Sequence, residues 1–313
     1  MRRSYRYLHF DVFTDRPFGG NQLAVLSDAR GLDDDTMQAI AKEMNFAETT
    51  FVFPAEQPDT GARVRIFTPA AELPMAGHPT IGTAFALART GLIPPSADRF
   101  VFGLNVGPIT VSLGWEGTAL DFVWMTQLPP TFGEPIDDVR GAAAMLSVRE
   151  RAIGGTGLPI QVVSCGLPCL LVPMVARRDV DDAALDSAAY GTFMRARREA
   201  PRCVFVFSTE PGPGGATAYS RMFAPDLGIS EDPATGGASG PLGCYLLAHK
   251  VVTPEQAAAM VSLQGVKMGR PSTVHMSIGL DGREDAASAG AGAISSVRVG
   301  GQSVFVGEGF LYV

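Results

Sequence analysis

RIFTPAAELPMAGHPTIGTAFALA (residues 65–88) and RMFAPDLGISEDPATGGASGPLGCYLLA (residues 221–248) carry one pattern twice. Each runs Arg, apolar, Phe, small, Pro, then a loop, then a Pro-led run of small residues. The second copy starts half a chain length after the first in a sequence of 313 residues. That spacing points to a doubled fold with a site where the two halves meet. In the first copy, Pro79 suits the first position of a helix and Gly91 suits its stop. The helix between them is apolar on nearly every side, so it is expected to be buried. A second Ala/Gly-rich helix starts after Asp232. One buried helix per half, wrapped by many strands, is the expected architecture.

The length agrees with two domains of roughly 150 residues each. The boundaries expected are 1–128 for the first half, with the terminal strands 296–313 joining it, and 129–295 for the second. With 46% hydrophobic and 18% charged residues the chain has ample material for a core. A net charge of −7 leaves no broad basic field for a phosphate backbone, so nucleic acid is not an expected partner. MRRSYRYLHFDVF lacks the apolar core of a secretion signal, and CGLPCLLVPMVA is too short and Pro-broken to span a bilayer. A cytoplasmic protein with no membrane partner is expected. Cys165, Cys169, Cys203 and Cys244 form no C-x-x-C pair and read as free core cysteines. No metal-ligand cluster or phosphate-binding glycine loop emerges, so neither a metal nor another cofactor is expected.

Strands are expected in YLHFDVF, QLAVL, TTFVFP, ARVRIF, PITVSL and ALDFVWM of the first half, with a helix from about Asp33 to Met44. Pro129-Pro130 and the following TFGEP mark the expected linker. The second half repeats the order with strands IQVVSC, CLLVPM, CVFVFS and TAYSRMF, then a helix TPEQAAAMVSL. Strands around VHMSIG and VRVGGQSVFVGEGFLYV, with a hairpin turning at Gly300-Gly301, finish the chain.

In AGHPTIG, His78 precedes Pro79, and in EDPATGG, Asp232 precedes Pro233, so each is expected at the N-cap of its half's buried helix. A helix start offers unpaired N–H groups and a positive dipole end, and Gly, Ala and Thr there let a ligand approach the backbone. Two such ends facing one another would cradle a carboxylate. Asp-Pro at a helix start also arises from capping alone. Glu48, in MNFAETTFVFP, is bracketed by Phe46, Ala47 and the strand TTFVF. Drawn into a cleft, such a carboxylate would have a raised pKa and could take and return a proton near neutral pH. The plain alternative is a surface or capping carboxylate.

DVFTDRPFGGNQLAVL, NFAETTFVF, AGHPTIG and GISEDPATGGASG, in this order and at these separations, resemble the PhzF-like family, named for an isomerase of phenazine biosynthesis. The resemblance covers both halves. It implies an α+β fold like that of diaminopimelate epimerase and proline racemase, with two pseudo-symmetric domains, each a curled sheet or barrel around a central helix, and an active cleft between them. Carried over by motif, it implies that Glu48 is the proton-shuttling glutamate and that His78 and Asp232 are its catalytic partners. Asn21, Gly77, Thr80, Thr235, Gly236 and Gly237 are the expected substrate-binding residues. The related epimerases place two cysteine thiols at the helix starts, where this chain has His78 and Asp232. One departure stands out: the family pattern usually continues E-D-P-A-T-G-S-A, and Gly237 occupies the place of that serine. Gln22, where proline is common, is a minor departure.

The function expected is a cofactor-independent isomerase that moves a proton between carbons of a small carboxylate-bearing metabolite, the protein itself being a homodimer. Two other readings stand beside it. One is a non-catalytic metabolite-binding or interaction protein that retains the cleft; the other is a lyase or hydrolase using Glu48.

Overall fold

The computed structural model describes residues 3–197, 201, 203–280 and 294–313. The chain order opens with β1 (Ser4–Val12), β2 (Asn21–Leu26), α1 (Asp34–Met44), β3 (Glu48–Phe53), β4 (Ala62–Phe67), β5 (Glu72–Leu73) and α2 (Gly77–Arg89). Then come β6 (Arg99–Leu104), β7 (Gly107–Glu116), β8 (Ala119–Thr126), β9 (Thr131–Phe132), α3 (Val139–Met145), α4 (Glu150–Gly154), β10 (Gln161–Ser164) and β11 (Pro168–Pro173). These are followed by α5 (Arg177–Asp182), α6 (Ser187–Arg195), β12 (Cys203–Ser208), β13 (Ala218–Ala224), β14 (Ile229–Asp232) and α7 (Gly236–Ala248). The chain closes with α8 (Pro254–Ala257), β15 (Met260–Gln264), β16 (Ser272–Leu280), β17 (Ile294–Gly301) and β18 (Ser303–Tyr312). Contacts divide it into two compact units, one of residues 1–126, 269–273 and 300–313, the other of residues 127–268 and 274–299.

Strand pairing repeats between the units. In the first, β2 runs parallel to β3, β3 antiparallel to β4, β4 antiparallel to β5 and parallel to β6. In the second, β11 runs parallel to β12, β12 antiparallel to β13, β13 antiparallel to β14 and parallel to β15. β1 joins β2 and β18 antiparallel, as β10 joins β11 and β9. This is the doubling that the two Arg-led stretches encode, and it makes the fold α+β.

Each unit holds one helix that is buried almost throughout. In α2 every residue from Gly77 to Leu87 is buried, and in α7 so are Gly236 and Ala238 to Leu247. Neither helix has a charged residue before its last turn, so no side of it gains by facing water. Burial of Ile81, Phe85 and Leu87 contributes about 1.5–3 kcal/mol each. Gly82 lets α2 approach its sheet, since a Cβ there would lie 2.6 Å from Leu23 and from Val12. α1 begins as the acidic run suggests: Asp33 is the N-cap and its carboxylate accepts from the Thr36 N–H. In the second unit α7 packs in one core with Phe205, Phe207 and Met222, and Tyr190 of α6 joins a second core with Val204 and Phe223 from the other face of the same strands.

Several expectations fail locally. TPEQAAAMVSL is not one helix: a capping box between Thr253 and Gln256 starts α8, but the helix ends at Ala257 and Met260–Gln264 is a strand beside β13. The alternating MVSLQ pairs with a neighbouring strand, and that tertiary pairing overrides the helix-forming alanines. The expected linker contains β9, which pairs with β10. No hairpin turns at Gly300-Gly301: Gly300 lies against Val123 of β8, while β18 pairs with β1 after the single residue Gln302. The short helices α3 to α6 lie where no helix is expected from the sequence.

Candidate active site

Asn21 opens β2 and Glu48 opens β3, and because these strands are parallel with Leu23 beside Glu48, both residues lie at the same end of the pair. His78 reaches them from the first turn of α2. Its Nε2 is 3.3 Å from Glu48 Oε2, and its Nδ1 is 3.2 Å from Asn21 Nδ2. All three are buried, with Glu48 6% and His78 4% exposed. With its Nδ2 facing the ring, the Asn21 amide donates to His78 Nδ1, the pairing of a neutral imidazole whose proton is on Nε2. Burial pulls the His78 pKa down to about 3 against a weaker opposing hydrogen bond to the Gln22 backbone. The imidazole is therefore neutral at neutral pH. It faces the Glu48 carboxylate at 3.3 Å as an uncharged ring rather than as a cation.

His78 is not the N-cap. Ala76, extended at φ −150°, holds that place, and Gly77, His78 and Pro79 are the first three helical residues. Proline is tolerated there because the first N–H groups of a helix have no intrahelical partner. The Thr80 hydroxyl donates to the Ala76 carbonyl at 2.7 Å.

The corresponding region of the second unit is built differently. Asp232 is the last residue of β14, paired with Met222, and Thr235 is the N-cap of α7, so Asp232 is not a cap either. The Thr235 hydroxyl donates to Asp232 Oδ2. Gln264, the end of β15, closes a knot: its Nε2 donates to the Asp232 carbonyl at 2.7 Å and to Thr235 Oγ1 at 2.9 Å, and its Oε1 accepts the Thr235 N–H at 3.0 Å. The sequence reading missed Gln264, taking the residues before it for a helix end. Its signal was a polar residue closing the alternating strand MVSLQ. Gly236 and Gly237 follow in the first turn, and a Cβ at 237 would meet only Leu167, at 3.4 Å. That is ordinary contact distance for a Cβ. Because the Thr80 and Thr235 hydroxyl protons both point at protein oxygens, these side chains offer a ligand lone pairs rather than donors.

Asn21, Glu48, His78, Gly77 and Thr80 thus belong to the first unit, and Asp232, Thr235, Gly236 and Gly237 to the second. The four cysteines lie in the core of the second unit, with Cys165 Sγ 3.9 Å from Cys244 Sγ and Cys169 beside Cys203 across β11 and β12. Burial pushes the Cys169 thiol well up from its ordinary value. Among the described residues no group of three or more His, Cys, Asp or Glu could hold a metal ion, and no helix is long and apolar enough to cross a membrane.

Known proteins resemble this chain over nearly its whole length. The trans-2,3-dihydro-3-hydroxyanthranilate isomerase of Pseudomonas aeruginosa is 33% identical over 312 residues, covering 99% of this chain and 100% of that protein. The crystal structure of a phenazine biosynthesis protein of the PhzF family from Bacillus anthracis superposes with a TM-score of 0.85 at 24% identity, covering 99% of this chain and 100% of the other. A hydroxyproline epimerase from Agrobacterium vitis shares the fold with a TM-score of 0.67 at 15% identity, covering 100% of this chain and 94% of the other. The sequence pattern of the family described as phenazine biosynthesis-like protein matches residues 10–309, and the chain belongs to this PhzF-like family of isomerases.

Proposed function

We propose that this isomerase moves a proton between carbons of a small carboxylate-bearing metabolite, with Glu48 as the acid/base and no cofactor. The observation that carries the reading is the buried Glu48 carboxylate, 3.3 Å from a neutral imidazole that Asn21 orients. Glu48 takes a proton from a saturated carbon, the electron pair left behind shifts a double bond along the conjugated system, and the protonated Glu48 returns the proton at another carbon. No oxidant or reductant is needed. Helix-start N–H groups of the kind that α2 and α7 each present hold the substrate carboxylate. Preorganised donors of this kind offset the charge that accumulates during abstraction, an effect worth several kcal/mol in comparable sites. The relative from P. aeruginosa supports a cyclic, conjugated acid such as trans-2,3-dihydro-3-hydroxyanthranilate as the first substrate to try.

Gly237 favours one other reading, a metabolite-binding protein without turnover, because the usual serine hydroxyl is missing from the start of α7. Incubation with trans-2,3-dihydro-3-hydroxyanthranilate and a panel of related acids in heavy water separates the two. A proton-shuttling isomerase places deuterium on carbon in one of them, as read by mass spectrometry. A pure binder retains affinity in calorimetry and incorporates none.

A further inference from the structure

The loop joining β1 to β2 is held in an unfavourable backbone conformation immediately before Asn21. Phe13 and Phe18 have positive φ values of 65° and 70°, which non-glycine residues rarely adopt, and Phe18 is 73% exposed, so its own side chain does not hold it in place. Asp11 does. Its carboxylate, 1% exposed, accepts the Phe18 N–H on Oδ2 at 2.7 Å and the Arg270 guanidinium on Oδ1 at 2.6 Å. Arg270 also donates to the Gly20 carbonyl at 2.8 Å and to the Gly19 carbonyl. The residues after it complete a strap: Pro271 accepts the Gly20 N–H at 3.0 Å, and the Thr273 N–H donates to the Phe13 carbonyl at 2.8 Å. The strap lies so close that a Cβ at Gly19 would be 2.9 Å from the Pro271 oxygen. Gly20, at φ 62°, would place a Cβ 2.3 Å from the Val12 oxygen.

A buried ion pair is weak evidence for a stabilising role, whereas strain held by a buried charge next to a site is the pattern of a positioning device. The residue after the two glycines is Asn21, which contacts His78 Nδ1. On the other side of Asp11, His9 Nε2 lies 3.8 Å from its Oδ1, and the His9 ring packs on Phe46, two residues before Glu48, at 4.7 Å. We propose that Asp11 and Arg270 form a positioning clamp for the proton-transfer pair: through the strained loop they fix Asn21 against His78, and so His78 against Glu48. Neither touches substrate. The catalytic half of this proposal rests on the role of Glu48 given above.

The test is Arg270→Gln in the full chain, read three ways. Hydrogen exchange at the Phe18 and Gly20 amides is expected to accelerate more than tenfold, with β12 unchanged. The 15N signals of the His78 ring shift as Asn21 loses its place. Deuterium incorporation into the acid of the panel that the wild type labels falls about 10- to 100-fold in kcat, with KM changed less than about twofold, since misplacement of about 1 Å costs that much. Arg270→Lys keeps a cation for Asp11 but not the fork onto both glycine carbonyls. It retains the fold if the glutamine variant does not, and is expected to show the same changes at smaller size. Unchanged Phe18 and Gly20 protection together with unchanged His78 signals would overturn the clamp. If the wild type labels no acid of the panel, the reading of Glu48 fails, and exchange and ring signals still decide the clamp.

Discussion

Arg65 and Arg221 occupy matching places in the two units, and the helix starts that follow them do not match. Each arginine forks onto a glutamate brought round by the next short strand, Arg65 onto Glu72 at 2.8 and 2.6 Å, Arg221 onto Glu231 at 2.8 and 2.9 Å. Each lies over the phenylalanine two residues on, 5.2 Å from Phe67 and 4.9 Å from Phe223. Beyond this shared frame, the first unit sets a neutral imidazole against a buried carboxylate from another strand. The second holds its carboxylate to the Thr235 hydroxyl, and Gln264 braces the Asp232 carbonyl and the Thr235 oxygen. The two copies share the Arg–Glu frame and differ at the helix starts that follow it, with His78 in one and Asp232 in the other.

The frames differ in burial, and that difference carries the largest stability prediction. The Arg221 side chain is 8% exposed and donates to the carbonyls of Val180, Asp181 and Ala183 as well, whereas Arg65 is 20% exposed and takes the exposed Asp34 as its other partner. Arg221→Leu strands Glu231 and is expected to cost about 3–5 kcal/mol in urea unfolding, the range for breaking a buried pair. An equal loss at Arg65→Leu would erase the distinction.

The second prediction uses the unlike helix starts. A histidine whose folded pKa is lowered to about 3 from 6.5 is neutral in the folded state while the unfolded chain binds a proton. Its contribution is therefore complete above about pH 6.5 and is lost as pH falls toward 3, over which stability declines by up to a few kcal/mol. His78→Gln is expected to flatten that part of the stability curve measured by denaturant titration at successive pH values. His9, His249 and His275, also lowered by burial, keep the remaining slope. An unchanged slope would show that His78 is not held neutral by burial. The smallest effect is Arg65→Leu itself, about 1 kcal/mol, the upper range for a partly solvated pair.

Much of this contrast was legible in the sequence, for a physical reason: local patterns report local structure. The two Arg-led stretches and their apolar helices could be read because burial on all sides leaves a run without charge. Glu48, His78 and Asp232 could be singled out by motif. Their exact helical positions could not, because Ala76 and Thr235 take the caps by backbone conformation. Arg270 was invisible, since its partner Asp11 lies 259 residues away and only the folded chain brings them together. Gln264 was hidden because a parallel strand pairing, not composition, decides the state of MVSLQ.

The most direct test of the central claim, that the chemistry resides in Glu48 of the first unit, is deuterium incorporation from heavy water by wild type and Glu48→Gln, with ligand affinity measured on both by calorimetry. The amide keeps the size of the side chain and removes its capacity to carry a proton. Incorporation is expected to fall about 10²- to 10⁴-fold with affinity largely retained. Incorporation at the wild-type rate in Glu48→Gln would contradict it.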